Sequence, residues 1–167
     1  MNLCIHDLAH QDDVSGFLSS DSKWHIISEQ ASFSSCKGCF DCWVKTPGQC
    51  ILKDGYERLG ELMGRSKTIR IVSRCVYGSE SPFVKSVLDR SIGYVLPLFT
   101  VHKGRMRHQK RYQNTLTFQV LFYGVSANSS EAETAQRLVQ AQARNLMIQT
   151  VEISFYETLD ALKAAFV

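Results

Sequence analysis

No stretch of the 167 residues approaches the ~18 consecutive apolar residues that a membrane-spanning helix needs. There is no G-x-S-x-G elbow, no Walker loop and no G-x-G-x-x-G, so serine hydrolase, P-loop NTPase and Rossmann dehydrogenase readings find no support. The five histidines, His6, His10, His25, His102 and His108, fall at no recognisable metal spacing. Internal repeats, low-complexity tracts and linkers are also missing, so residues 1–167 are expected to form one domain. The segment Met1 to Asp7 has neither a basic region nor a long apolar run, so no signal peptide is expected and a reducing, cytoplasmic setting is.

What is present is ordinary globular material: 44% apolar and 21% charged residues, enough to bury a core without disulfides. The patterning alternates. Leu3–Leu8, Trp24–Ser28, Thr68–Ser73, Thr117–Tyr123 and Val151–Phe155 read as strands, the fourth nearly continuous in apolar and aromatic residues, as a strand covered on both faces should be. Helices are expected from Asp54 with Glu57 in a capping-box position, from Pro82 after a Ser cap, from about Ser130 with Glu133 again three residues on, and from Leu159 to Phe166. Between strands one and two the connection is short and weakly helical. Strands separated by helices imply a parallel α/β sheet, and five of them fit the flavodoxin-like order 2-1-3-4-5 with helices on both faces. Ligands bind such sheets at the carboxyl ends of the strands. The expected site is therefore built from Asp7–His10, the Cys36–Cys50 loop, Arg74–Ser81 and Gly124–Ser129.

Six cysteines are many for such a domain. Cys4 and Cys75 stand alone in apolar runs and read as small hydrophobes. Cys36, Cys39, Cys42 and Cys50 follow C-x2-C-x2-C-x7-C, a compact run suited to an iron–sulfur cluster, with 4Fe-4S the natural type. Gly38 and Gly48 supply backbone freedom for the wrap. Zinc, a single disulfide and metal-free thiols remain open alternatives.

Cys36-Lys37-Gly38-Cys39-Phe40-Asp41-Cys42-Trp43, then Gly48-Gln49-Cys50-Ile51-Leu52-Lys53-Asp54, resembles the cysteine loop of iron–sulfur flavoproteins and of NAD(P)H-dependent FMN reductase-like proteins. Cys75-Val76-Tyr77-Gly78-Ser79-Glu80-Ser81, with Lys85 and Asp89-Arg90, is similar to their second flavin loop. The resemblance covers about a third of the chain. It implies FMN, a dimeric or tetrameric assembly, and electron transfer from a reduced donor. The implied isoalloxazine contacts are Val76, Tyr77, Gly78, Gly124, Val125 and Ser126. One element departs. Where the family has a Gly/Ser/Thr-rich phosphate loop after strand one, this chain reads Leu8-Ala9-His10-Gln11-Asp12-Asp13-Val14-Ser15-Gly16, whose acids would repel a phosphate.

Residues 102–113 hold Lys103, Arg105, Arg107, Lys110 and Arg111 with no acid, +5 within a chain of net +3, leaving −2 elsewhere. This segment is expected as an irregular loop that either grips an anionic partner, such as the phosphates of a nicotinamide nucleotide or an acidic redox protein, or is solvated and pairs with a neighbouring subunit. With only Tyr112 for stacking, nucleic acid is poorly supported. Two functional expectations result: a redox protein using FMN, a cluster or both, with no catalytic side chain required, and a non-catalytic flavodoxin-like scaffold that has lost tight FMN binding. A zinc-bearing binding module is a third.

Overall fold

The computed structural model describes residues 1–9, 12, 14–18, 22–102 and 104–166. His10, Gln11 and Asp13 of the expected phosphate loop, and Lys103 of the basic segment, lie outside these.

Five parallel strands, β1 (Asn2–His6), β2 (Trp24–Ile27), β3 (Thr68–Arg74), β6 (Thr117–Tyr123) and β7 (Thr150–Tyr156), form a sheet ordered β2-β1-β3-β6-β7. In sequence order this is 2-1-3-4-5, the flavodoxin-like arrangement. The central strands are buried on both faces: every residue of β1 is buried, and β3 and β6, in register from Thr68 opposite Thr117 to Arg74 opposite Tyr123, share one burial pattern up to their last residue. The outer strands β2 and β7 are more exposed, as edge strands covered by fewer neighbours must be.

The cysteine loop carries one short helix, α1 (Asp41–Val44). On one face, α2 (Leu59–Arg65), α3 (Pro82–Arg90) and α4 (Ser130–Asn145) bury Met63, Val84, Val87, Ala135 and Val139 against Ile5, Ile71, Phe118 and Val120. The other face is thinner. There Phe17, in a single 3-10 turn (Ser15–Phe17), and Leu162 of α5 (Leu159–Ala164) cover Val72 and Leu121. Part of that face is closed by a polar row instead of a helix. Arg70 donates to Gln119 Oε1 (3.0 and 2.7 Å), and Gln119 donates to Glu152 Oε2 (2.7 Å), linking β3, β6 and β7. Cys4 on β1 is fully buried, and burial pushes its thiol up to about 12.

Three local expectations are corrected. The stretch expected as an irregular loop is a β-hairpin: β4 (Val95–His102) pairs antiparallel with β5 (Arg105–Lys110). Helix α2 starts at Leu59, not Asp54. Asp54 accepts from the Tyr56 N–H (3.2 Å) and Glu57 accepts from the Gly55 N–H (2.8 Å), so the two acids stabilise a turn ahead of the helix. At α4 the cap is Ser129, whose Oγ accepts from the Ala132 N–H (3.1 Å), leaving Glu133 exposed.

Candidate functional site

The carboxyl ends of β3 and β6 bring together Val76–Gly78 and Gly124–Ser126, the two segments expected around a flavin ring. Val76 and Ser79 exchange backbone hydrogen bonds (2.9 and 3.0 Å) across a two-residue turn. Both central residues are left-handed, Tyr77 at φ 51° and Gly78 at φ 74°, as a reverse turn with φ > 0 at both positions requires. Glycine is obligatory at 78, since a Cβ there would lie 2.7 Å from the Thr134 Cβ. Tyrosine at 77 is not the steric choice, because a non-glycine residue there costs roughly 1–2 kcal/mol. Its ring is nonetheless held out in solvent, 94% exposed. Such strain collects at working surfaces.

Much of the backbone polarity at this edge is already used. The Val76 N–H bonds to Ser79, the Gly78 N–H to the Glu131 carboxylate (3.1 Å), and the Val125 N–H to the Tyr156 carbonyl (3.2 Å). Glu131, at the start of α4, also accepts from the Cys75 thiol (3.9 Å). Burial, then the Glu131 charge, pushes that thiol up, so it stays protonated. Asp7, directly after β1, accepts from the Arg74 N–H (2.9 Å), the Ser73 hydroxyl (3.3 Å) and the Tyr123 hydroxyl (3.1 Å). Burial and the adjacent Asp7 raise Tyr123 far above a free phenol, which keeps it a donor. Asp7 lies on the edge expected from the sequence, but the roles of Tyr123 and Glu131 were not predicted, because what marks them is partners 53 to 116 residues away.

Beyond the ends of β1 and β2 lies a cavity of about 370 Å³ lined by Asp7, Leu8, Ala9, Glu29, Gln30 and Ala31. Among the described residues two carboxylates and no cation line it, which disfavours a dianionic phosphate there.

Cys36, Cys39, Cys42 and Cys50 all line one other cleft, of about 400 Å³, with Lys37, Phe40, Asp89 and Arg90 among its walls. It is not on the carboxyl edge where sequence order would put it. The chain leaving β2 runs down α3: Phe33 packs on Phe83 (5.0 Å), the Ser35 hydroxyl donates to Ser86 (3.4 Å), and the Ser34 carbonyl accepts from Arg90 (3.0 Å). The cysteines therefore sit beside the far end of α3, one helix length of about 13 Å from the flavin segments. Arg90 is the cleft's anchor. Its side chain is wholly buried and paired with Asp54 (2.5 Å). Burial lowers the guanidinium, but hydrogen bonds to Asp54 and Cys50 outweigh it. Burial likewise pushes Asp54 up, and the bonds from Arg90 and from the Tyr56 and Ser34 N–H groups overcome this to hold it below the usual carboxylate range. Burial and then the neighbouring Cys50, Cys36 and Cys39 thiols push Cys42 up. Among the described residues, no group of three or more His, Cys, Asp or Glu side chains is arranged to hold a metal ion as the loop lies. The donor set suits a soft metal; its closed geometry is not preformed.

The basic segment forms a third feature. His102, Arg107, Lys110 and Arg144 line a cleft of about 560 Å³ with Met147–Gln149, just ahead of β7. That is the amino-terminal edge of the sheet, a strand length of about 20 Å from Tyr77.

No protein-family model and no curated protein matches this sequence. Solved structures do match along its whole length. An NAD(P)H:quinone oxidoreductase from Methanothermobacter marburgensis superposes with TM-score 0.64 at 13% identity, covering 99% of this chain and 93% of that one. An FMN-dependent NADH-azoreductase from Bacillus anthracis, in complex with FMN, gives 0.55 at 14% identity with the same coverage. An NADPH-quinone reductase from P. pentosaceus gives 0.53 at 14%, again over 99% and 93%. The sheet order and these superpositions define a flavodoxin-like fold. No helix among the described residues is long and apolar enough to cross a membrane.

Proposed function

We propose that this chain is a redox protein of the NAD(P)H-dependent FMN reductase kind that takes its flavin loosely, as an exchangeable ligand. The observation that carries this reading is the strained, outward-facing Tyr77 on the carboxyl edge, opposite Gly124–Ser126, in a fold whose solved neighbours include FMN-dependent reductases. Tyr77 covers one face of the ring, Gly124 and Ser126 border it, and the flavin supplies the electron chemistry. Asp7 and Glu29 keep the phosphate from being gripped. The cysteine cleft is the proposed second centre, with Cys36, Cys39, Cys42 and Cys50 as ligands of an iron–sulfur cluster once the loop closes. Its support is that all four thiols line one cleft.

A second reading, a flavodoxin-like scaffold without flavin, is favoured by the carboxylates in the 370 Å³ cavity and the spent N–H groups of the turn. The absorption spectrum of anaerobically purified protein, with iron and zinc assayed on the same sample and FMN then added, separates the two. Saturable flavin binding that Tyr77→Ala abolishes supports the redox reading; a colourless protein that takes up no flavin supports the scaffold. Iron content unchanged by Cys39→Ser removes the cluster, and zinc in its place identifies a zinc module.

A further inference from the structure

We propose that the cleft between the β4–β5 hairpin and the end of α4 is a binding site for linked phosphoryl groups, separate from the flavin edge and independent of the redox reading. Among the walls of this cleft, of about 560 Å³, are His102, Arg107, Lys110, Arg144, Met147 and Gln149. Arg107 and Lys110 come from β5, Arg144 from the last turn of α4, and Gln149 from the residue before β7. Among the described residues no carboxylate lines the cleft, and none of these cations is in an ion pair. Three permanent positive charges therefore share one concavity, in a chain whose net charge is only +3. An anion relieves their mutual repulsion.

Helix capping does not account for the cluster. Cations gather at helix C-termini to satisfy unpaired carbonyls and the dipole, and Arg107 does donate to the Arg144 carbonyl. The end of α4 nevertheless closes on its own backbone. The Ile148 N–H donates to the Ala143 carbonyl (2.8 Å) and the Met147 N–H to the Arg144 carbonyl (3.3 Å), with Met147 left-handed at φ 53°. In that paired arrangement a helix end needs no side-chain cap. Lys110 and the Arg144 guanidinium are therefore surplus to it. Gln149 points the same way. Its Oε1 accepts from the Leu116 N–H (3.3 Å), which leaves its NH2 group as the donor.

Two guanidinium forks, an ammonium and an amide NH2 on one concave wall suit phosphate oxygens, which arginine grips two at a time. Size selects more than one phosphoryl group. A cleft of about 560 Å³ far exceeds a single phosphate and falls within the roughly 300–1,000 Å³ of small-molecule sites. Linked phosphoryls fill the cationic part, and whatever they are attached to lies against Met147. The site is at the amino edge of the sheet, about 20 Å from Tyr77, so a ligand held by these cations has its phosphoryls out of contact with a ring at the flavin edge.

Calorimetric titration of the full chain with inorganic pyrophosphate, then with ADP in competition, tests this. One site per chain is expected, weakened about tenfold by Arg144→Gln and by Lys110→Gln. Lys45→Gln, which removes the same charge from an exposed position on the cysteine loop, should change it by less than about twofold. Displacement of pyrophosphate by ADP identifies a nucleotide as the source of the phosphoryl groups, and failure to displace it identifies the free anion. No saturable binding at millimolar pyrophosphate, or equal weakening by all three substitutions, overturns the inference. Should a variant fail to fold, hydrogen exchange on the unaltered protein decides: pyrophosphate should slow the amides of residues 107–110 and 147–149, and slowing elsewhere or nowhere contradicts the site.

Discussion

The two ends of the sheet are built on opposite plans. The carboxyl edge is rigid and acidic: its turns are locked by Asp7 and Glu131, and its exposed ring is held on a strained backbone. The amino end, where α3 finishes, is cationic and sulfur-rich, and its loops are tied to one buried arginine. A fold that usually concentrates ligand chemistry at its switch point has its reactive groups divided between two surfaces.

The largest expected effect falls on the anchor. Arg90→Met leaves Asp54 buried without a counter-charge and should cost about 3–5 kcal/mol in urea unfolding. The same pair gives a pH signature. Asp54 is held below its unfolded value, so its contribution is full above about pH 4 and is lost as acid carries the pH down through the folded value. Asp54→Asn should remove that part of the acid dependence.

At the other edge, Gly78→Ala forces a Cβ toward Thr134 at positive φ and should destabilise by about 1–3 kcal/mol while disordering the turn. Tyr77→Gly should do the reverse, raising stability by up to about 1 kcal/mol while weakening flavin binding. An opposite sign on stability and binding is what distinguishes a functional strain from a merely tolerated one. The smallest effect is electrostatic: Asp7→Asn should tighten FMN about fivefold, worth ~1 kcal/mol at a partly solvated distance, and leave riboflavin unchanged.

The central sheet was legible because Thr68–Ser73 and Thr117–Tyr123 are apolar runs that local pattern alone identifies as doubly covered strands. The hairpin was not, since β5 reads Arg-Met-Arg-His-Gln-Lys and owes its extended shape to pairing with β4. At the site, the six residues expected around a flavin came from the resemblance, and their two segments follow strand ends that are paired, Arg74 opposite Tyr123. The cysteines were grouped by spacing but assigned to the wrong end. Loop direction depends on Phe33–Phe83 and Ser34–Arg90, contacts between residues 50 and 56 apart that no local window contains. Arg90 itself reads as an ordinary helix C-terminal cation until its burial is seen.

Titration with FMN and with riboflavin, on the unaltered protein, Tyr77→Ala and Cys39→Ser, is the most direct test. Riboflavin binding at least as tightly as FMN, both lost with Tyr77→Ala and both kept with Cys39→Ser, is the predicted result. Tight FMN binding that ignores Tyr77, or flavin loss on changing Cys39, would contradict the division of the molecule into a flavin edge and a separate sulfur cleft.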